Sequence, residues 1–535
     1  MNSMGHESNQ LGLVIGGSIS QGVEVRLKDS KLIEETKIGT FVTINGAHSK
    51  FFGTITDLRL DTADNKFSSS VSSDSRSLIE VISGISTYSV ATIMPSLNID
   101  SAFLTPQPSK SLPQHFSVAF RASNEDVAEV FGNEDERHIW IGSPLDMEDA
   151  HVCLNLEEFV KRSNAVFGKS GTGKSFLTRI LLAGILQRQV ATNLIFDMHN
   201  EYGWESSSET GYSAKGLKQL FGSRVSIFTL DGSSASTRGL KYDVDAKIGF
   251  NEIEPEDIAI LGTTLNITEL GIQSCYALAD YFKNDSSPWI LKFLDLTSEE
   301  LHELAETLRE NTNTLEALRR RLSQLKRFDF MVEKSSGKGI ATEILEHLLD
   351  NRHVVLEFGK HGDNVNAYLL VANLITRRIH EEYRKKTESA MAGNEELPSP
   401  LVITIEEAHR FLNSGLANQT IFGTIAREMR KYRVTLLIVD QRPSGIDEEI
   451  LSQIGTRVVC QLDNDRDIDA VLTGAPGARN LRNILSRLES IQQSLMFGHA
   501  MPMPVVVRTR NYDNDFYSDI TLPGFGNINK KDLFG

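Results

Sequence analysis

The chain of 535 residues is 40% hydrophobic and 24% charged, which excludes a disordered or fibrous protein and allows about two to four globular domains. Its formal net charge of −16 counts against a surface that is basic throughout, although it leaves room for a locally basic channel. The cysteines Cys153, Cys275 and Cys460 lie far apart and form no CxxC pair, which argues against a disulfide framework or a zinc site.

The sequence gives no sign of a signal peptide or a membrane segment. The first ten residues, MNSMGHESNQ, contain neither a basic nor an apolar region. The most apolar run, residues 177–186, is too short to cross a bilayer and contains Arg179. We therefore expect a cytoplasmic protein.

Short β-rich runs between Gly and Asn-Gly turns predict a β-barrel or sandwich in residues 1–120. The Ser-rich segment 64–77 is expected to be an exposed loop, and the Pro-containing segment 105–113 a linker. The predicted strands are residues 11–15, 23–27, 40–44, 51–60 and 77–85.

Beyond about residue 142, strands alternate with longer helical patterns, which predicts an α/β domain with a mainly parallel sheet. The predicted strands are residues 164–167, 193–196, 225–228, 353–358, 401–405 and 435–439, and the predicted helices include 176–187 and 367–386. We place the first part of this core at 121–251, a helical insertion at 252–340, the second part at 341–500, and a C-terminal strand and tail at 501–535.

The insertion contains leucines at helical spacing, Leu315, Leu318, Leu322 and Leu325. One interpretation is a coiled-coil site for a partner, and the other is a helix that buries one face within the chain. The pattern is shorter than the three or four heptads that a coiled coil needs, so we favour the second interpretation.

The most informative motif runs from Gly168 to Ser175 and matches G-x-x-x-x-G-K-[ST]. An apolar strand precedes it and a helix follows, which is the context of a P-loop that binds ATP with Mg²⁺. Backbone N–H groups and the positive end of the helix would face the phosphates. Lys174 would bridge the β- and γ-phosphates, and Ser175 would ligate Mg²⁺. The expected nucleotide-binding residues here are Gly168, Ser170, Gly171, Thr172, Gly173, Lys174, Ser175 and Phe176.

Two adjacent glutamates, Glu406 and Glu407, follow the buried strand predicted at 401–405. Glu406 is expected to act on the Mg²⁺ ion through water, and Glu407 to be the general base or the group that orients the attacking water. Many P-loop ATPases carry Asp at the first of these positions, so Glu406 is a departure from the common pattern.

Another acidic residue, Asp197, ends the strand after the P-loop helix, in IFDMHNEY. A carboxylate at this strand end is expected to point toward the phosphates. His199 follows it, and we expect a local hydrogen-bonding role, because no second His or Cys stands at metal-ligand spacing.

The segment 426–444 combines basic residues with a strand that ends in Asp440-Gln441-Arg442-Pro443. Gln441 is expected to sense the γ-phosphate through its amide. An arginine just before the strand can serve as an arginine finger in a neighbouring subunit. The basic residues are Arg427, Arg430, Lys431 and Arg433.

Together these motifs resemble the HerA family of hexameric DNA translocases, relatives of the FtsK pumps. The resemblance rests on the P-loop, on FDMHNEY, IEEAHRFL, REMRKY and DQRPS, and on the order of parts. It implies a RecA-like P-loop NTPase core with an N-terminal β-barrel that assembles the ring and docks partners. Lys169 stands where many relatives have a small residue.

The resemblance also implies a homohexamer with ATP sites at subunit boundaries and double-stranded DNA in the central pore. Lys174, Ser175, Asp197, Glu406 and Glu407 would act in cis. Arg430 matches the family's arginine finger best, and Arg162 matches a second arginine near the nucleotide. Relatives work with a partner nuclease such as NurA, or with effectors of anti-phage defence.

Three functions remain open at this stage. The first is an ATP-driven DNA translocase or helicase. The second is an ATP-binding ring that controls an effector enzyme with little translocation, which the acidic net charge keeps open. The third is a secretion or conjugation ATPase, against which the absence of an apolar segment and the barrel before the core both argue.

Overall fold

The computed structural model describes residues 9–29, 32–62, 87–100, 103, 105–207, 213–335, 337–428, 431–489 and 492–521. The chain divides into two compact units, one formed by residues 1–155 and 477–510, and the other by residues 156–476 and 511–535. The Ser-rich segment 64–77 and the strand predicted at 77–85 lie outside the described residues.

The first unit contains a barrel and a separate group of antiparallel strands. Its strands are β1 (Gln10–Ser18), β2 (Gly22–Leu27), β3 (Phe41–Asn45), β4 (Lys50–Thr62), β5 (Thr87–Ile99), β6 (Gln107–Pro108), β7 (Val118–Arg121), β8 (His138–Pro144), β9 (Val152–Asn155), β22 (Gln493–Gly498) and β23 (Val505–Thr509). Its helices are Leu32–Glu35, Asn124–Phe131 and Ala478–Leu485.

The barrel is closed by six strands in the order β2-β1-β7-β3-β4-β5, because β5 pairs back onto β2. All of these pairs are antiparallel. Apolar residues such as Val14, Val25, Val42, Ile55 and Ile93 are buried as its core. Closure leaves no open edge among the six strands, and it confirms the predicted N-terminal β-barrel.

The second group in this unit pairs β9, β8, β23 and β22 in that order, again antiparallel. These strands bring residues 138–155 together with 493–509. The compact unit therefore extends beyond the barrel domain predicted to end at residue 120, because strand pairing joins segments that lie far apart in the sequence.

The second unit is an α/β domain. Its strands are β10 (Asn164–Phe167), β11 (Thr192–Asp197), β12 (Ser206–Ser207), β13 (Ser213–Ala214), β14 (Val225–Thr229), β15 (Val244–Asp245), β16 (Ile248–Gly249), β17 (Met331–Val332), β18 (His353–Glu357), β19 (Leu401–Glu406), β20 (Val434–Asp440) and β21 (Thr456–Cys460). Eight of the twelve form one sheet in the order β15-β14-β18-β11-β19-β20-β10-β21, and every pair in it is parallel.

Helices occupy much of the rest of this unit. They are Leu156–Val160, Lys174–Arg188, Leu217–Phe221, Gly232–Thr237, Pro255–Ala259, Gly262–Leu265, Glu269–Tyr281, Trp289–Asp295, Ser298–Leu308, Thr312–Leu322, Ile340–Leu349, Val365–Met391, His409–Leu412, Ile421–Glu428, Glu448–Gln453, Asp465–Val471 and Asn514–Thr521. Short 3₁₀ turns lie at Gly222–Arg224, Phe250–Glu252, Ser323–Arg327, Gly359–His361 and Pro443–Gly445.

The parallel sheet explains why its strands are nearly continuous apolar runs. Strands β10, β11, β19 and β20 are buried along their whole length, as expected when helices cover both faces of a parallel sheet. The helix Lys174–Arg188 is likewise buried from Leu177 onward. This arrangement confirms the predicted α/β fold.

The leucines of the insertion face inward. Leu315, Leu318, Leu322 and Leu325 are all buried and lie where the helix Thr312–Leu322 packs against other helices of the insertion. They are therefore core residues within the chain, as expected for a helix that buries one face within the insertion. Among the described residues, no helix has both the length and the apolar character needed to span a membrane.

Candidate active site

The segment Gly168–Ser175 turns sharply between β10 and the helix that begins at Lys174. Gly173 has a φ of 95°, a left-handed conformation that favours glycine. A Cβ on Gly168 would lie 2.7 Å from the Cβ of Cys460, so this position also requires glycine. The loop is pinned to the sheet where the Gly168 N–H donates to the Asp440 carbonyl and the Lys169 N–H to that of Gln461.

The remaining backbone amides of this loop are available to a ligand. Within the described residues, the N–H groups of positions 170–176 donate to no protein acceptor. The Thr172 hydroxyl instead donates to the Lys169 carbonyl, at 2.8 Å. A run of free amides at a helix N-terminus is a binding site for an anion such as a polyphosphate.

Lys174 supplies a positive charge beside these amides. Its Nζ donates to the Lys169 carbonyl at 2.9 Å, so it folds over its own loop. Burial lowers the pKa of Lys174, while Cys460, Glu407, Asp440 and Glu406 act in the opposite direction. A partly desolvated ammonium gains strongly from an anionic ligand, because water does not screen the contact.

Glu406 ends β19 and is held by two tyrosines. Its Oε1 accepts a hydrogen bond from the Tyr202 hydroxyl at 3.0 Å, and its backbone lies against the Tyr368 hydroxyl. Its Oε2 is buried and has no partner among the described residues. Burial, with nearby Asp197 and Glu201, raises the pKa of Glu406 well above its usual value. A cation near Oε2 would reverse this effect.

Glu407 differs from Glu406 in both backbone and environment. Its φ of 47° lies in the left-handed region, which costs a non-glycine residue on the order of 1 kcal/mol and persists only where the surroundings impose it. Its Oε1 accepts a hydrogen bond from the Gln441 amide at 2.6 Å. The side chain is 15% exposed, so it can meet water.

A buried carboxylate, Asp440, ends β20 between the P-loop strand and β19. It accepts the backbone N–H groups of His409 at 2.7 Å and Arg442 at 2.6 Å. The Nδ1 of His409 lies 3.1 Å from Asp440 Oδ2 and 3.5 Å from Glu407 Oε2. The hydrogen bond with Asp440 raises the pKa of His409, so the imidazole is a donor between two carboxylates.

Asp197 is directed into its own loop. Its Oδ1 accepts the N–H of Glu201, and its Oδ2 accepts those of Tyr202 and Gly203. These bonds fold FDMHNEY so that Tyr202 reaches Glu406. The carboxylate is completely buried and burial raises its pKa. The expectation that Asp197 points at the phosphates thus differs from what is observed, because three backbone amides occupy its oxygens. His199 is exposed on the same loop.

Comparison with known proteins gives a family match for the middle of the chain and relatives for most of its length. The family model described as helicase HerA, central domain, matches residues 139–379. The chain is similar to the DNA double-strand break repair helicase HerA of Pyrococcus furiosus, with 26% identity over 74% of this chain and 72% of that protein. Residues 139–379 are thus similar to the HerA central domain. The resemblance drawn from the motifs is confirmed, and the protein is a P-loop ATPase.

A second HerA relative covers nearly the whole chain. The DNA double-strand break repair helicase HerA of Sulfurisphaera tokodaii is 25% identical over 94% of this chain and 93% of its own length. Among solved structures, VirB4 of Thermoanaerobacter pseudethanolicus is 12% identical and covers 72% of this chain and all of that one, with a TM-score of 0.48.

Arg162, one of the two arginines assigned to the nucleotide through the HerA resemblance, lies away from the P-loop of its own chain. Arg162 precedes β10, whereas the P-loop follows it, so the four residues of β10 separate them by about 13 Å. The Arg162 side chain packs on Gly455. Arg433 likewise precedes β20, opposite Gln441. Arg162 therefore does not lie beside its own P-loop. Arg430 falls outside the described residues.

Phe176 and Ser175 follow Lys174 on the first turn of the P-loop helix, and both are partly exposed. The Phe176 ring lies 6.3 Å from that of Tyr512, with the Arg179 guanidinium 5.6 Å above it. Ser170 and Gly171 are exposed at the tip of the loop.

Sequence reasoning missed His409, Asp440, Tyr202 and Tyr368. The first three stand inside motifs that carry the HerA resemblance, namely IEEAHRFL, DQRPS and FDMHNEY. Tyr368 stands on the helix Val365–Met391 and outside any motif. The motif letters could have marked three of these residues, but their contacts depend on the order of strands in the sheet.

Proposed function

We propose that this chain is the subunit of a homohexameric ring that uses ATP hydrolysis to move along or unwind double-stranded DNA. The observation that carries the proposal is the division of catalytic groups between the two ends of the strands in one parallel sheet. The P-loop, Glu406, Glu407 and Gln441 lie where these strands end, here called the carboxyl edge. Arginines lie where the strands begin, here called the amino edge, and only another subunit can use them there.

In this proposal the carboxyl edge does the chemistry in cis. The free amides of the loop and Lys174 bind the phosphates, and Glu407 takes the proton of the attacking water. Gln441 contacts Glu407 in the structure and would exchange that contact for the γ-phosphate. Its exposed position allows the change.

The residues expected to hold Mg²⁺ fit a hard cation that prefers oxygen ligands. Ser175 offers a hydroxyl on the first turn of the helix, and the Glu406 Oε2 is a buried carboxylate oxygen without a partner among the described residues. Bound there with ATP, Mg²⁺ would neutralise charge on the phosphates. Glu406 would act through water, as the sequence predicts.

The amino edge supplies cations in trans. No ion pair of the Arg162 guanidinium occurs within the described residues, and the Arg433 Nε is buried without a partner there. A positive group left unpaired in this way is suited to a negative ligand brought by a neighbour. Arg430, by family resemblance, is the leading candidate for the arginine finger.

DNA enters the proposal through the relatives, which are named DNA double-strand break repair helicases. A nuclease similar to NurA, or an effector of anti-phage defence, would be the partner, and the setting would be the cytoplasm. The net charge of −16 requires that basic residues concentrate at the pore rather than over the surface.

The test is ATP hydrolysis by the purified chain, with and without double-stranded DNA, together with its mass in solution. Lys174→Ala is the matched control, because it removes phosphate binding and leaves the rest of the surface intact. We expect a hexamer whose hydrolysis rises with DNA.

Two other results would redirect the proposal. A hexamer with steady hydrolysis and no response to DNA would favour a ring that controls an effector enzyme. A monomer with full activity would contradict catalytic groups acting in trans.

A further inference from the structure

His409 lies at the centre of the candidate active site, yet no role in the reaction has been given to it. Its ring stands between two carboxylates, with Nδ1 3.1 Å from Asp440 Oδ2 and 3.5 Å from Glu407 Oε2. The ring is 24% exposed, whereas the Asp440 side chain is fully buried. The fully buried Asp440 side chain can therefore anchor the more exposed His409 ring.

The anchor is rigid because Asp440 is held from several directions. It accepts backbone N–H groups from His409 and Arg442, and it stands at the end of a strand buried along its whole length. An imidazole bound to such a group is fixed in orientation. The same carboxylate determines which ring nitrogen carries the proton, because Nδ1 must donate.

Glu407 is the group that needs to be held. Its left-handed backbone, with φ 47°, is a conformation that relaxes unless contacts maintain it. Two side chains contact its carboxylate, Gln441 at Oε1 and His409 at Oε2. Gln441 is exposed and is the residue proposed to turn to the γ-phosphate. When it does, His409 is the contact that stays with Glu407 among the described side chains.

We infer that His409 is a positioning residue for ATP hydrolysis: anchored by Asp440, it holds the Glu407 carboxylate in one orientation at the end of β19. This inference rests on the proposed role of Glu407 as the general base. In this scheme the histidine of IEEAHRFL orients Glu407, and Asp440 acts indirectly by orienting His409. Neither residue touches the nucleotide in this scheme.

The first experiment compares His409→Ala with the wild type in hydrolysis of ATP without DNA and in binding of a fluorescent ATP analogue. We expect kcat to fall about tenfold to a hundredfold, the cost of a misplaced catalytic group, with the Kd for the analogue unchanged. His347→Ala is the control, since it removes a partly buried imidazole bonded to Ser226 in the same unit, at a distance from the site. An unchanged kcat in His409→Ala would overturn the inference.

The second experiment separates positioning from a purely structural role. In His409→Asn the amide nitrogen takes the place of Nδ1, whereas in His409→Gln it stands one bond further out. Both variants keep a polar group at the start of the helix His409–Leu412. We expect Asn to recover most of the wild-type kcat and Gln to recover little, at equal Kd. Equal kcat values for the two variants would overturn the inference, even if the Ala variant does not fold.

These assays also keep the inference separate from the proposed function. The baseline is hydrolysis without DNA, so a wild-type chain that ignores DNA would count against translocation alone. The comparison of Ala, Asn and Gln at position 409 would still decide whether His409 positions Glu407.

Discussion

The two edges of the parallel sheet carry different groups. At the carboxyl edge, β19 and β20 end in Glu406 and Asp440, and the P-loop follows β10. At the amino edge, Arg162 and Arg433 stand just before β10 and β20. Because parallel strands all run the same way, a residue before a strand and a residue after it are always separated by the whole strand.

If the arginines take part in hydrolysis as proposed, one chain holds all the groups for the reaction and still cannot complete it alone. The acids and the P-loop are assembled in cis by strand order. The arginines belong to the same chain, but they stand at the opposite ends of the strands. A ring that places the amino edge of one subunit against the carboxyl edge of the next would join them, and the following predictions test this.

The largest effect is expected at the carboxyl edge, for Glu407→Gln. Loss of the general base should lower kcat about a thousandfold, while ATP still binds, because the P-loop is unchanged. Hydrolysis and nucleotide binding measured on the same sample check this. Lys174→Ala is the contrast, since it should lose binding as well. Turnover retained by Glu407→Gln would show that another group activates water.

The amino edge is tested by Arg162→Ala, which should lower turnover about a hundredfold if its charge stabilises the transition state in a neighbour. Lys161→Ala is the control, because Lys161 is the adjacent cation and pairs with Glu158 on the surface.

Mixing subunits distinguishes trans from cis action. Arg162→Ala subunits keep an intact P-loop edge, and Glu407→Gln subunits keep an intact amino edge. A mixture should therefore hydrolyse ATP faster than the average of the two pure variants. Failure of every mixture to recover activity would contradict the action of Arg162 in trans.

The sequence predicted the carboxyl edge better than the amino edge, for a physical reason. Phosphate binding needs a local loop between a strand and a helix, and Gly168–Ser175 shows all of it in eight consecutive residues. The position of Arg162 depends on strand direction, which a short motif does not contain. Asp197 illustrates the same limit: a strand end was predicted correctly, but the backbone amides that occupy its oxygens belong to the folded loop.

The fold was likewise predicted well where the signal is local and poorly where it depends on contacts between distant segments. Strands β10, β11, β19 and β20 were located to within one or two residues, because buried parallel strands are continuous apolar runs. The pairing of β22 and β23 with β8 and β9 was not predicted. Long-range antiparallel pairing leaves no signal in a single short segment.

A third prediction concerns Glu357, which ends β18 beside Asp197. Burial, reinforced by Asp197, raises the pKa of Glu357 from 4.5 to about 7. Between these pH values the folded chain keeps a proton that the unfolded chain releases, so stability falls as pH rises through that window. The loss is on the order of 2 kcal/mol, since each pKa unit corresponds to about 1.4 kcal/mol and buried carboxyl groups relax on ionisation.

Thermal unfolding of Glu357→Gln against the wild type measures this loss. The variant should melt at a higher temperature than the wild type at pH 8, and at nearly the same temperature at pH 5. Glu316→Gln, at an exposed acid of the insertion, should match the wild type at both pH values. Parallel behaviour of Glu357→Gln and wild type across the range would show that Glu357 is already ionised in the fold.

The smallest effect is expected for Lys169→Ser, inside the P-loop itself. The loop uses only the backbone of residue 169, whose carbonyl accepts from Lys174 and Thr172. Its side chain forms a surface ion pair with Asp463, at 2.8 Å and with 36% and 66% exposure. Such pairs contribute less than about 1 kcal/mol, so hydrolysis and melting temperature should stay near wild type. A large fall in kcat would mean that Lys169 leaves Asp463 and binds the phosphates. The P-loop would then have two lysines that bind phosphate rather than one.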